Sequence, residues 1–171
     1  MSDYFQTENW KNLAQHDLPF LPSPHETIEA SLDYLNTVYP LYQKQLIDLG
    51  AGDGRVIILA AKKYRMFTIG VEINLELIST AQTHIKELDL QSQCQMIEAD
   101  LYNFDVSNSD VVYCFILPTS HRFLRHVIQS LKSGAFWISI RWPMDTFGEF
   151  WEREFELHLL EGVSVFIYKK K

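Results

Sequence analysis

Apolar positions in this chain fall in short blocks of four to eight, and polar stretches with helical spacing separate them. The blocks at 46–49, 67–72, 93–97, 110–117 and 135–141 read as strands buried on both faces. Between them, 54–64, 75–88 and 120–131 carry apolar residues at helical intervals. Strand and helix therefore alternate, which predicts an α/β fold with a doubly wound parallel sheet covered by helices on both faces. The pattern changes near the end. Residues 155–159 alternate apolar and polar, a turn follows at 161–162, and 163–168 are β-rich. That predicts a terminal hairpin whose last strand joins the sheet antiparallel, making it mixed. Before the first strand, Ser23-Pro24-His25-Glu26 reads as a helix start, with serine as N-cap, proline at the first helical position and glutamate closing a capping box. Ile28, Leu32 and Leu35 then share a face, and Pro40 ends the element.

Composition sets bounds. The 171 residues, 47% hydrophobic and 22% charged, suit one globular domain. We divide it into a lid and helix segment at 1–40 and a catalytic core at 41–171. Fifteen basic residues against 22 acidic ones leave a net charge of −7, which argues against nucleic acid as a partner. The two cysteines, Cys94 and Cys114, lie inside strand blocks and read as buried thiols in a reducing compartment. No histidine has a second ligand at metal-binding spacing, and His121 and His126 read as surface positions. No signal peptide precedes the first element, and no apolar run approaches the ~20 residues that cross a bilayer. The expectation is a cytoplasmic enzyme without metal or membrane contact.

The most specific feature is the turn after the first strand, Asp48-Leu49-Gly50-Ala51-Gly52-Asp53-Gly54-Arg55. Three alternating glycines allow a tight backbone that a ligand can approach closely, and a helix N-terminus stands behind them. The dinucleotide fingerprint would need a glycine at position 55, where this chain has arginine. No Gly-Lys-Ser/Thr follows, so it is not a phosphate loop either. The spacing instead resembles the D/E-x-G-x-G-x-G signature of class I S-adenosylmethionine-dependent methyltransferases. That resemblance implies a seven-stranded Rossmann-like methyltransferase fold. It also assigns Asp48, Gly50, Gly52 and Gly54 to the methionine end of the cofactor. Glu72 and Ile73 then serve the ribose and its surroundings, and Asp100 and Leu101 the adenine. For Glu72 the competing reading is a carboxylate capping the Asn74 turn; for Asp100 it is a helix N-cap.

The end of the fourth strand block, Tyr113-Cys114-Phe115-Ile116-Leu117-Pro118, lacks the Asn/Asp-Pro-Pro-Tyr/Phe of enzymes that methylate the exocyclic amines of bases or the glutamine side chain. It also lacks a Pro-Cys nucleophile. Phe20-Leu21-Pro22-Ser23-Pro24, Asp53-Gly54-Arg55, Gly70-Val71-Glu72-Ile73-Asn74 and Arg141-Trp142-Pro143 together resemble the small seven-stranded protein-lysine methyltransferases. These include archaeal broad-specificity and ATP synthase c-subunit types. The resemblance spans about residues 19–143 and implies transfer of a methyl group to a protein substrate with an accessible lysine. Such a transfer needs a desolvated channel that disfavours the ammonium form, and Tyr113, Phe115 and Trp142 are the catalytic candidates for it, with ordinary core or rim packing as the competing reading. Phe20, Leu21, Pro22 and Arg141 fall on the acceptor side. Small-molecule or RNA methylation, or cofactor binding without catalysis, remain the alternative readings.

Overall fold

The computed structural model describes residues 21–159 and 162–171, with the side chains of Arg153 and Glu154 also outside the description. Phe20, and with it part of the expected lid, lies outside the described residues. The alternation appears as β1 (Gln45–Leu49), β2 (Phe67–Glu72), β3 (Cys94–Glu98), β4 (Val111–Cys114), β5 (Phe136–Ile140), β6 (Trp151–His158) and β7 (Ser164–Lys170). The helices are α1 (His25–Val38), α2 (Arg55–Tyr64), α3 (Leu75–Glu87), α4 (Pro118–His121) and α5 (Arg125–Ser130). Among the described residues the strands form a sheet of seven in the order β3-β2-β1-β4-β5-β7-β6. Pairs among β1 to β5 are parallel, and β7 runs antiparallel to both β5 and β6. This is the expected doubly wound, mixed sheet with its antiparallel last strand.

Period-two side-chain direction explains the two layers. Leu46, Val111, Tyr113, Ile138 and Ile140 point to one face and meet Ile28, Leu32, Leu35, Ile57 and Ala81 of α1, α2 and α3. Ile47, Leu49, Val112, Cys114 and Trp137 point to the other face and meet Leu124, Val127 and Ile128. Lys63 ties α2 to α1 through Glu29 and Asp33, and the Tyr64 hydroxyl donates to Asp33 at 2.7 Å. Both cysteines are free and buried.

Four local expectations change. Pro24, not Ser23, is the N-cap of α1, and no side chain caps the helix. The Pro24 carbonyl takes the N–H groups of Thr27 and Ile28 instead, while Ser23 is turned inward and buried. The strand expected over 110–117 stops at Cys114, because its ladders with Leu49 and Ser139 end there. Pro118 holds Leu117 extended (ψ 144) and starts a helix. The helix expected over 120–131 is split into α4, a 3₁₀ turn at Arg122–Leu124 and α5. That split reverses the reading of His121 as a surface residue: it is buried, and its ring nitrogen Nε2 donates to the Ile116 carbonyl at 3.0 Å. His126 is exposed as expected. The hairpin strands are longer than expected, because Trp151 pairs beyond the alternating segment and stacks on Tyr168.

Candidate cofactor and acceptor site

Three neighbouring strands, β4, β1 and β2, end on the same edge of the sheet, and a cleft of about 670 Å³ opens there. Its position follows from the glycine turn. Gly50, Gly52 and Gly54 have φ of +85°, +54° and +81°, a left-handed run that β-carbon sterics disfavour. The turn folds over the end of β2, where the N–H groups of Gly50 and Ala51 both donate to the Val71 carbonyl at 2.9 Å. Gly70 gives it clearance. A Cβ there would meet Ala51 Cβ at 2.8 Å and Met96 Sδ at 2.5 Å.

Glu72 organises the turn as well as lining the cleft. One carboxylate oxygen accepts from Gly52 N at 2.9 Å, and the other accepts from Ile73 N at 2.8 Å and Asn74 N at 2.9 Å. The reading of Glu72 as a cap on the Asn74 turn is thus realised, with its remaining lone pairs at the cleft. Asp100 likewise caps the 3₁₀ turn at Leu101–Asn103, taking Tyr102 N at 2.9 Å and Asn103 Nδ2 at 2.7 Å. Ile73 is 70% exposed at the rim, and Leu101 lies near Gly50 across the opening.

Asp48 is different in kind. It is buried in the floor of the cleft, and its carboxyl oxygens accept no hydrogen bond among the described residues. Burial first, then the negative charges of Glu72 and Asp53, push its carboxyl up to about 8. Asp53 goes the other way: Arg55 Nε donates to it at 2.9 Å, and that bond holds its carboxyl below the usual range. In β4, Tyr113 pairs in register with Asp48 and stands on the same face. It is also buried, its hydroxyl meets no hydrogen-bond partner among the described residues, and burial raises its phenol well above the ordinary value.

The cleft brings together Leu21, Pro22, Asp48, Gly50, Glu72, Ile73, Asp100, Leu101, Tyr113 and Phe115. Four predicted residues sit apart from it. Gly52 turns its N–H to Glu72, and Gly54 faces α3, where a Cβ would meet Ala81 Cβ at 2.8 Å. Arg141 follows β5 with φ +70° and donates its N–H to the Ser164 carbonyl. Trp142 is not in the cleft lining, but its ring centroid is 5.7 Å from that of Phe115. Sequence reasoning missed Ser23, Asn74, Leu77, Tyr102 and the Ile116–Leu117 wall. Leu117-Pro118 was the available signal for that wall, since a strand exit before proline marks a cleft edge in such sheets. No group of three or more metal-ligating side chains occurs among the described residues, and none of their helices is long and apolar enough to cross a membrane.

Known proteins share this arrangement. A family model described as the ANTKMT methyltransferase domain matches residues 48–149. A protein-lysine N-methyltransferase of Saccharolobus islandicus (strain REY15A) is 30% identical over 121 residues, covering 69% of this chain and 73% of that protein. The adenine nucleotide translocase lysine N-methyltransferase of Mus musculus is 27% identical over 103 residues, covering 60% of this chain; the match spans less than half (45%) of that relative's length. Among solved structures, an RNA methyltransferase from Salinibacter ruber in complex with S-adenosyl-L-homocysteine aligns with a TM-score of 0.74 at 26% identity, covering 88% of this chain and 94% of that one.

Proposed function

Because this chain belongs to the ANTKMT methyltransferase family, an S-adenosylmethionine-dependent group of enzymes, we propose that it methylates lysine ε-amines of a protein substrate. The observation that carries the choice of acceptor is the charge of the cleft. Its described lining holds the carboxylates of Asp53, Glu72 and Asp100, and Asp48 held protonated until a cation reaches it, against one guanidinium, Arg55, which Asp53 already engages. Such a lining attracts an amine-bearing side chain and repels the phosphates of RNA.

The residues present fit S-adenosylmethionine. Asp48, buried and without a hydrogen bond, is suited to receive an ammonium group, which would stabilise its ionised form. In this reading Glu72 and Ile73 serve the ribose end, and Asp100 and Leu101 the adenine, since all four line the cleft. S-adenosylmethionine supplies an activated methyl group on a sulfonium. The chain supplies alignment, worth up to about 7–11 kcal/mol in favourable cases, and an apolar wall. Phe115, with Trp142 behind it, Ile116 and Leu117 form that wall. A lysine entering there loses water, and loss of water favours its neutral, nucleophilic form. The chain needs no dedicated base for this step.

The test uses labelled S-adenosylmethionine and a cell lysate split into protease-treated and ribonuclease-treated halves. The proposal expects macromolecular label that protease removes and ribonuclease leaves. The reverse would favour RNA methylation, the activity named for the Salinibacter ruber protein.

A further inference from the structure

Arg55 links two parts of the cleft that the strand order alone does not connect. Its Nε and Nη2 groups donate to the two oxygens of Asp53, in the middle of the glycine turn. Its Nη1 donates to the Ser23 carbonyl at 3.3 Å. Asp53, Arg55 and Leu21-Pro22-Ser23 all line the same cleft. The segment around Ser23 has few backbone donors of its own, because Pro22 and Pro24 lack an N–H. It also leads directly into the first turn of α1, which no side chain caps. A planar guanidinium is the side chain suited to gripping a carboxylate with one edge and a carbonyl with the other.

We propose that Arg55 is a positioning residue that couples occupancy of the glycine turn to the seating of the Leu21–Ser23 segment over the cleft. Binding of the cofactor then tightens a seating that Arg55 already makes. Glu72 holds Gly52 on one side of the turn, and Asp53 passes the turn's position through Arg55 to Ser23 and the start of α1. This inference rests on the reading of the cleft as the cofactor site. A lysine at position 55 has a single ammonium on a flexible stem and does not hold both partners in one geometry.

Amide hydrogen exchange of the full chain, with and without saturating S-adenosylhomocysteine, tests it. In the wild type the ligand should slow exchange in peptides covering 45–54 and, by about tenfold, at 23–28, within the 5–150-fold range typical of coupled sites. In Arg55→Ala and in the milder Arg55→Lys, ligand protection of 45–54 should persist while that of 23–28 disappears. Protection of 23–28 that survives in Arg55→Lys or Arg55→Ala overturns the coupling. So does wild-type protection confined to 45–54. Absence of protection at 45–54 in the wild type overturns the cofactor reading itself, and this proposal with it.

Discussion

Asp48 is only 4% exposed, and its carboxyl is raised to about 8 from an ordinary 3.8. The fold therefore favours its protonated form. The stabilisation linked to that proton is fully present below pH 3.8 and is lost as pH rises through about 8. Thermal unfolding of the ligand-free protein should show this decline, and Asp48→Asn should flatten it. Binding of a ligand with an ammonium group reverses the preference, so at pH 7 S-adenosylhomocysteine should bind with release of about one proton. Calorimetry in buffers of different ionisation enthalpy checks this, and Asp48→Asn should release none. Glu72 carries a second prediction. Its carboxylate receives three backbone N–H groups, so Glu72→Ala removes a brace of the turn as well as a ligand contact. The affinity loss should exceed the roughly 1.5–3 kcal/mol of one charge-assisted hydrogen bond, and the melting temperature should fall with it. Loss of affinity with unchanged stability would contradict the bracing role. At this scale the acidic and glycine positions were legible in sequence, because spacing around a strand end specifies them. The left-handed run at Gly50–Gly54 was implied by composition, whereas the division of labour within it, with Gly54 facing Ala81 and Gly52 facing Glu72, depends on partners distant in the chain.

The elements were legible where one signal dominated. The apolar blocks of β1, β2 and β5, flanked by turn residues, come out within a residue or two of the observed strands. Where tertiary contacts compete, the reading shifts. Ser23 looks like an N-cap, but Arg55 takes its carbonyl and the helix begins after Pro24. The split between α4 and α5 moves His121 from an apparent outer face to the interior, where it steadies the Ile116 carbonyl at the exit of β4. Burial lowers the His121 pKa against the pull of the Ile116 carbonyl, so the stability gained by burying the neutral ring is full above pH 6.5 and is lost as pH falls through its lowered folded value. His121→Ala should destabilise the protein by about 1–3 kcal/mol, the cost of leaving a buried carbonyl unsatisfied, and denaturant unfolding measures it. His121→Gln, which retains a donor, should recover part of that loss. The β2–turn contact makes a parallel prediction. Gly70→Ala forces Ala51 or Met96 to move and should weaken S-adenosylhomocysteine binding in direct titration.

Across the whole molecule, the sheet order puts β1 between β2 and β4, so the acids Asp48 and Glu72 and the aromatic rings of Tyr113 and Phe115 meet at one cleft. We propose that this arrangement works as a single unit, with Leu21–Ser23, the described end of the 1–40 segment, as its cover and 41–171 as its core. The same geometry sets the pH response of the reaction. Lysine has an ordinary pKa near 10.4, and only its neutral form attacks. The transfer rate should therefore rise steadily with pH above neutrality, while a bell centred near pH 7 would indicate a dedicated base. The acceptor amine is best identified from the product. Protein labelled by the wild-type chain from methyl-tritiated S-adenosylmethionine is hydrolysed to amino acids and separated alongside methyl-lysine standards. Label should elute with Nε-methylated lysine, and none should come from Asp48→Ala. Label found in nucleosides, or in amino acids other than lysine, would contradict it.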